Sequence, residues 1–531
     1  MLRVSLCLAA VFVAYRAVRF LSALHAHGYV KGARPLLDPH SFPGNAIPSN
    51  WWHMGFMWPW IRRKHAHFNH THDLTTLIPL LSGGGAYFAA SVAVARQVWG
   101  NEAKTHLVKP KDFTTESVWG SSVASANGDD WKRHRRVVAP AFTHKMFSKI
   151  VEESALVYDQ MKGDFCTTDV HLTNLHALLL RYTFVTICRC GFGMSVDWKQ
   201  SSSRDEVAVF DRALSVASGT IIPRLIFPKW VWRLPIQRRV CASYHFPPTL
   251  TAQCSLRKID DSWKTVLTLL DAITASRQAQ YAARKSLGDD EIDDLFTKLV
   301  SSTDGAAKYA LEPPDVDKTA NMMSLLFAGY ETTGSALMST LVLLGLHPEE
   351  QDAAYAEIIR EIPSAENMSL PAILNLKHVL ACMHEAHRLV PATITLPRDV
   401  PEDIILHSTR PVERNVLVKK GSRVIVDIMA VCHNPHDFPA PEAFRPARWY
   451  GVPDPDVIMF GAGPRMCVGR RFAQTEAVSF LARFLRDWRV ETPLRDGETR
   501  AAAMERVMAG ASMCGTAFAL GEVPVRIVAR K

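Results

Sequence analysis

Several familiar signatures are missing from this chain, and each absence narrows what it does. Ten cysteines lie scattered through 531 residues without a repeated C-x-x-C pair, which excludes a zinc ribbon and a disulfide-stapled framework and fits a reducing compartment. No internal repeat, low-complexity tract or Ser/Gly linker interrupts the sequence. The glycine run Ser82-Gly83-Gly84-Gly85 is no nucleotide loop, because Phe88 stands where G-x-G-x-x-G needs its last glycine, so the segment reads as a turn. Glycine and proline are at ordinary levels, 28 and 31, and charged residues make up 21% against 48% hydrophobic. That composition excludes a disordered or collagen-like chain and is enough for a sizeable core. Positive charge is in modest excess, 61 Lys+Arg against 52 Asp+Glu, or +9. It suits an anionic membrane, an acidic partner or nucleic acid without choosing among them.

What is present begins with an apolar run. Val4 to Tyr15 is broken only by Ser5 and Cys7, and the pattern continues to Leu24 with Arg16 and Arg19 interrupting it. A bilayer core asks for about 20 mainly apolar residues, so these arginines must snorkel or the segment must lie partly in the interface. A cleaved secretory signal is the rival reading, but Ser22 to Ala26 lacks a clear A-x-A site, and a retained anchor over residues 1–30 is preferred. The basic flank Arg16, Arg19, Lys31 and Arg34 then marks the cytoplasmic side, leaving the rest of the chain cytosolic. A second cluster, Trp51, Trp52, Phe56, Met57, Trp58, Trp60 and Ile61, is closed by Arg62-Arg63-Lys64; it suits either a headgroup-level contact or a helix packed on the main domain. His65, His67, His70 and His72 lack a partnering Cys or carboxylate and read as a solvated loop, not a metal site. Asn69-His70-Thr71 and Asn367-Met368-Ser369 match glycosylation acceptors that a cytosolic domain would leave unmodified.

Thr76 to Ala90 reads as paired strands and Ser91 to Trp99 as a short helix. Residues 145 to 390 carry mainly helical periodicity, punctuated by prolines at Pro223 to Pro235 and Phe246-Pro247-Pro248; short strand-like runs recur at Leu417 to Met429 and Val523 to Ala529. The expectation is a mainly α chain with small β-sheets, residues 31–531 forming one domain behind the anchor.

The chemistry concentrates in Phe460-Gly461-Ala462-Gly463-Pro464-Arg465-Met466-Cys467-Val468-Gly469. Three glycines, a proline and one cysteine make a tight loop whose backbone amides can point at the sulfur and stabilise a thiolate. Such a thiolate can hold haem iron and push electron density toward it. The segment matches F-x-x-G-x-R-x-C-x-G at every specified position, and the chain resembles the cytochrome P-450 haem-thiolate family, eukaryotic microsomal type and fungal in style.

That resemblance predicts further motifs in a set order, and all are present. Glu385-Ala386-His387-Arg388 matches the family's E-x-x-R helix, its i,i+3 spacing placing Glu385 and Arg388 on one face. Pro441 to Trp449 resembles P-x-x-F-x-P-x-R-W, so Arg448 should complete a buried network. Ala328-Gly329-Tyr330-Glu331-Thr332-Thr333, in the apolar helix Thr319 to Leu346, matches the A-G-x-[D/E]-T oxygen-activation motif. Gly329 would let the backbone approach a ligand, Thr332 would open a water-holding kink and position the distal water, and Glu331 would feed protons into that relay. Trp131-Lys132-Arg133-His134-Arg135 resembles the W-x-x-x-R helix, so Trp131 and Arg135, together with Arg398 and Arg465, are the implied propionate partners. Lys132, Arg133, Arg136, Arg470 and Arg471 are the cations expected to face an acidic reductase.

The resemblance therefore implies haem b with an axial thiolate from Cys467, Phe460 and Gly469 in its loop, and monooxygenation of a lipophilic small molecule, terpenoid-like by fungal analogy. No flavin or nicotinamide fingerprint occurs in the chain, so electrons must come from elsewhere, and the resemblance implies an NADPH-cytochrome P-450 reductase in the endoplasmic reticulum membrane. The pocket would be lined from Ser117 to Asn127, Leu325 to Thr333, Ala392 to Leu396 and Ala509 to Met513. A haem-thiolate isomerase, dehydratase or peroxygenase needing no reductase is the alternative, and a non-catalytic haem or membrane-interaction protein is a third; the retained Glu331-Thr332 pair favours monooxygenation.

Overall fold

A computed structural model describes residues 2–530 apart from 42–43, 45–46, 48, 51, 62–70, 83, 105–106, 112–115, 166, 195, 200–205, 222–223, 225–230, 234–255, 287–296, 298 and 300–314. The basic triplet Arg62 to Lys64, the histidines 65, 67 and 70, the Asn69 acceptor, Trp51, Gly83, and the proline-rich stretches at 246–248 and most of 223–235 lie outside the described residues. Chain packing divides the molecule into two compact units that interleave in sequence.

The first unit comprises Met1–Pro110, Thr393–Ala443 and Asp454–Met466. It opens with helix α1 (Leu2–Ala26), whose apolar residues are largely exposed; among the described residues its Val4–Ala26 portion is the one helix long and apolar enough to cross a membrane. Arg16 turns back to donate from Nε to the Leu80 carbonyl at 2.9 Å. Arg34 does not act as a free flanking cation: its guanidinium holds the Val30 carbonyl at 3.0 Å and Thr76 Oγ1 at 3.1 Å, tying the chain after α1 to the sheet. The sheet orders β1 (Gly32–Ala33), β2 (Leu74–Leu77), β3 (Ala86–Ala89), β8 (Arg423–Asp427) and β5 (Thr395–Asp399), with β2 and β3 antiparallel as their sequence suggested.

Trp58, Met54, Phe88 and Ile425 pack together beneath it, and Trp60 is buried too. Of the aromatic cluster, Trp58 and Trp60 resolve as core, where large apolar side chains bury more area than a surface position allows; Phe56 and Met57 are half-buried, and Trp52 and Ile61 remain exposed. Helix α2 (Val92–Lys104) runs longer than expected. The run from Leu417 to Met429 is two strands in two sheets: β7 (Arg414–Val418) pairs with β6 (Ile404–Ser408) as a hairpin, and β8 joins the large sheet. The break falls at Gly421, whose φ of +82° turns the chain where another residue would strain.

The second unit comprises Lys111–Ala392, Phe444–Pro453 and Cys467–Lys531. Its helices are α3 (Gly128–Val138), α4 (His144–Lys162), α5 (Leu175–Phe192), α6 (Glu206–Ser218), α7 (Leu256–Ser286), α8 (Asp315–Leu346), α9 (Pro348–Glu361), α10 (Lys377–Leu389), α11 (Arg470–Asp487) and α12 (Arg500–Ala509). Strand β12 (Val525–Ala529) pairs with both β4 (Asp169–Leu172) and β9 (Trp488–Glu491), and β10 (Ser512–Cys514) pairs with β11 (Ala517–Ala519) as a hairpin.

Helix α8 is the axis: from Ala320 to Leu346 nearly every residue is buried, which explains why its sequence is apolar all round rather than striped. It packs most closely against α5. Glycine permits that approach, since a Cβ at Gly334 would lie 2.9 Å from Leu180 Cδ2 and one at Gly329 would lie 3.1 Å from Ile187 Cδ1. The missing side chain of Gly329 therefore faces a neighbouring helix, where the sequence suggested close approach to a ligand. Thr183 on α5 adds a hydrogen bond to the Tyr330 carbonyl at 2.8 Å.

Candidate functional site

Helix α8 carries one interruption in its burial. Ala328 is exposed and Gly329 and Thr332 are half-exposed, three positions that share a face at i, i+1 and i+4. The Thr332 hydroxyl donates to the Ala328 carbonyl at 2.7 Å, and the helix runs unbroken through the motif. The expected kink is absent because this side chain supplements the helix ladder instead of displacing it.

The segment ahead of α3 is fastened to α8 by a polar chain. Asn321 accepts from the Val123 N–H at 2.8 Å and meets His134 Nδ1 at 2.8 Å, Trp119 Nε1 donates to Ser324 Oγ at 3.0 Å, and Ser324 Oγ donates to Ser122 Oγ at 2.8 Å. Phe327 turns the other way, stacking on Trp119 and Trp263 with ring centroids 5.5 and 6.0 Å apart, so it belongs to a buried aromatic column and not to the accessible face.

Glu331 is wholly buried and fully engaged. Thr516 donates to Oε2 from its backbone N–H at 2.8 Å and from its hydroxyl, while Ser218 and Tyr330 donate to Oε1, the latter at 3.1 Å. Burial raises its pKa above the ordinary carboxylate value, and these donors only partly offset it. No motif pointed to Ser218, Thr516 or Gly515; their place beside Glu331 depends on how α6 and the β10–β11 hairpin fold back onto α8.

Cys467 stands just ahead of α11, with Gly469 as that helix's N-cap. In the helical unit it is the exposed cysteine among the described residues, whereas Cys188, Cys190 and Cys382 are buried. Crowding by protein raises its thiol pKa, opposed by the Gly469 N–H and by the Arg135 and Arg470 guanidiniums. Arg135 feels the sulfur in return: its partial burial lowers its pKa and a thiolate at Cys467 raises it. Trp131 and Arg135 are both half-buried on one face of α3, while Lys132, Arg133 and Arg136 are exposed, as the spacing suggested. Two of those outward cations are paired within the helix, Lys132 to Asp129 at 2.8 Å and Arg133 to Asp130 at 2.5 Å. Arg470 is not an outward cation: it is buried near the cysteine, leaving Arg471 exposed.

Behind α11, Glu385 is wholly buried and receives Arg388 twice at 2.9 Å, Arg448 Nε at 3.0 Å, the Arg445 N–H at 3.0 Å and Trp449 Nε1 at 3.0 Å. The expected network is complete, and it recruits Trp449 and a backbone amide besides.

In the first unit, Phe460 begins the cysteine loop, Gly461 and Gly463 take φ of +72° and +69°, and a Cβ at Gly463 would lie 2.7 Å from the Trp99 carbonyl, so this glycine lets the loop lie directly on the backbone of α2. Arg465 and Phe460 are half-buried, and Arg398 is buried in β5 with one guanidinium nitrogen on the Pro397 carbonyl at 2.8 Å.

A mainly helical chain with an accessible cysteine at the head of a helix, a buried Glu–Arg–Arg network and an acid–alcohol pair on a central helix defines the haem-thiolate class of oxidoreductase. The family model for cytochrome P-450 matches residues 48–510, and the chain belongs to that family. It is 26% identical over 455 residues to cytochrome P-450 monooxygenase 124 of Postia placenta, covering 82% of each chain, and 26% identical over 406 residues to cytochrome P-450 4F5 of Rattus norvegicus, covering 72% of each. The crystal structure of the cytochrome P-450DA heme domain superposes with a TM-score of 0.65 at 19% identity, covering 86% of this chain and 90% of that one, a likeness of fold.

The protein is accordingly a haem-thiolate monooxygenase in the general sense, of a family that works with redox partners on lipophilic substrates. Its residues fit that group: an exposed cysteine flanked by an N–H and two guanidiniums, in the same unit as a helix face left open at Ala328 and Thr332.

Proposed function

We propose that this chain is a membrane-anchored monooxygenase that inserts one atom of dioxygen into a lipophilic, terpenoid-like small molecule, with electrons from an NADPH-cytochrome P-450 reductase. The observation that carries the reading is Cys467, exposed at the head of α11, where burial raises the thiol pKa and the Gly469 N–H, Arg135 and Arg470 oppose that rise in favour of the thiolate. Cys467 would ligate haem b, which when bound supplies dioxygen binding and activation. Trp131, Arg135, Arg398 and Arg465 would hold its propionates, and Phe460 and Gly469 would shape the loop around the ligand. Arg398 and Arg465 join this set through the family motif; Arg135 also has the electrostatic tie to Cys467.

Thr332, half-exposed on the open face of α8, would position the distal water with its hydroxyl. Glu331 would return protons to that water, itself recharged through the hydroxyls of Thr516 and Ser218, which already donate to it. The small, exposed Ala328 would leave room for a substrate, and apolar Leu325 one turn away suits a lipophilic one. Residues 1–30 would anchor the protein in the endoplasmic reticulum membrane by α1, with 31–531 as one cytosolic catalytic domain; the family model spans most of that range. Exposed Arg136 and Arg471, with Lys132 and Arg133, would meet the reductase.

The deciding experiment is the carbon monoxide difference spectrum of the reduced protein. A long-wavelength Soret maximum in the wild type that is lost in Cys467→Ala is expected. A genuine thiolate signal surviving in Cys467→Ala would remove the assignment, and product formation without NADPH would move the reaction to the reductase-independent class.

A further inference from the structure

The last residue of α6, the middle of α8 and the turn between β10 and β11 meet at one side chain. Ser218 ends α6, Glu331 lies in α8 beside Tyr330, and Thr516 sits in the hairpin turn. Both carboxylate oxygens of Glu331 are used, Oε1 by Ser218 and Tyr330 and Oε2 by the Thr516 N–H and hydroxyl. The turn reaches the carboxylate only because residue 515 lacks a side chain. Gly515 has a φ of +66°, and a Cβ there would lie 2.5 Å from Oε1 of Glu331. Glycine therefore serves twice, for the left-handed backbone and for the close approach.

We infer that Glu331 is a latch: it couples the end of α6 and the β10–β11 hairpin to α8, so that the two segments open and close together. Hydrogen bonds to a carboxylate are the strong class, and a wholly buried acceptor has no water to replace a lost donor. Loosening either arm leaves the shared carboxylate free to shift, which loosens the other, and such coupling is reciprocal. Ser512 and Met513 of β10 lie just ahead of the latched turn, so the latch sets where that strand stands. Its consequence for substrate choice rests on the reading above that Ala509 to Met513 face the substrate; the coupling itself does not.

Amide hydrogen exchange on the full-length, haem-loaded protein tests it. Ser218→Ala removes a donor from α6 alone, and the latch requires exchange across residues 512–519 to quicken by about tenfold although no bond within the hairpin has been touched. Gly515→Ala, altered only in the hairpin, should quicken the last turn of α6, residues 214–218, by a similar factor. Should Gly515→Ala fail to fold, Thr516→Val deletes one arm, keeps the N–H and reads in the same direction. Acceleration confined to the element that carries the substitution, or none at all, overturns the inference. The carbon monoxide spectrum of the same samples separates the two readings: a wild type without the thiolate signature sinks the functional assignment and leaves the coupling to be judged by exchange, whereas an intact signature with uncoupled exchange sinks the latch alone.

Discussion

Glu385 and Glu331 are both wholly buried carboxylates on helices of one unit, yet their surroundings push them in opposite directions. Burial alone would raise the pKa of Glu385, but the hydrogen bonds and charge of Arg388, the Arg445 N–H and the charge of Arg448 hold it below the ordinary carboxylate value. Glu331 has as many hydrogen bonds as its two oxygens readily accept, but all four donors are neutral, and burial wins. In this pair neutral donors satisfy the carboxylate's geometry and lower its pKa only in part, whereas added guanidiniums overcome the cost of burial. Glu385 is thereby held as an anion to lower pH than an ordinary carboxylate, which suits it to specifying the fold. Burial brings Glu331 nearer to protonation than an ordinary carboxylate, the direction the proposed proton relay requires. Glu476 on α11 extends the series: among the described residues neither of its oxygens has a hydrogen-bond partner, and burial raises its pKa well above the ordinary value.

The largest effect that sharpens this contrast is expected for Arg388→Ala. It strands Glu385 as a buried anion with one remaining guanidinium, and breaking a buried pair from one side costs about 3–5 kcal/mol. Arg388→Lys should recover only part of it, because an ammonium cannot reproduce the two parallel 2.9 Å bonds. Thermal unfolding and the yield of haem-loaded protein would show the loss. The same network makes the wild type acid-sensitive. Glu385's folded pKa lies below its unfolded one, so its contribution is complete above the unfolded pKa and disappears as pH falls through the folded value. If Arg388→Ala melts like the wild type, the guanidinium does not fix the charge and the contrast with Glu331 collapses.

Much of this was legible before the structure, and the reason differs from residue to residue. Helical spacing puts Glu385 and Arg388 on one face, but that the pair is buried and joined by Arg448 came from the ordered set of motifs the chain shares with the family. The helix Thr319 to Leu346 was readable because an all-round apolar run of that length has no other soluble home than a core; the fold extends it to Asp315–Leu346. The partners of Glu331 were not readable. Ser218 and Thr516 lie 113 and 185 residues from it in sequence, and common hydroxyl residues carry no spacing signal over such distances. Arg470 was misread as an outward cation for a related reason: its position beside a cysteine loop suggested a surface, while packing at the head of α11 buries it. Local periodicity reports which face of an element is apolar, and it is silent on which polar group another element delivers.

Glu331→Gln should cost less than Arg388→Ala, about 1–3 kcal/mol, because no charge is stranded but one end of the amide must present N–H groups to donors. The pH dependence is the sharper reading. With its folded pKa raised, Glu331 contributes stability that is complete below the unfolded pKa and declines as pH rises toward the folded value. The Gln variant lacks the titrating group, so the difference in stability between the two proteins should be greatest in acid and shrink toward neutral pH. A difference that grows with pH would mean that Glu331 is held as an anion like Glu385.

The smallest effect expected is that of Tyr330→Phe, and it tests the comparison most finely. The substitution removes one of four neutral donors, the 3.1 Å bond to Oε1, while the ring can keep its places beside Phe184 and Phe327. A single neutral hydrogen bond is worth about 0.5–1.5 kcal/mol, and Glu331 would retain Ser218 and both Thr516 donors, so the loss should sit at the low end. The Tyr330 hydroxyl is also among the donors that hold the Glu331 pKa down. Its removal should therefore move the pH window of that contribution upward even where the loss of stability is slight. A loss as large as that of Arg388→Ala would show that this neutral hydroxyl does for Glu331 what the guanidiniums do for Glu385. The distinction between satisfying a buried carboxylate and fixing its charge would then fail in this protein.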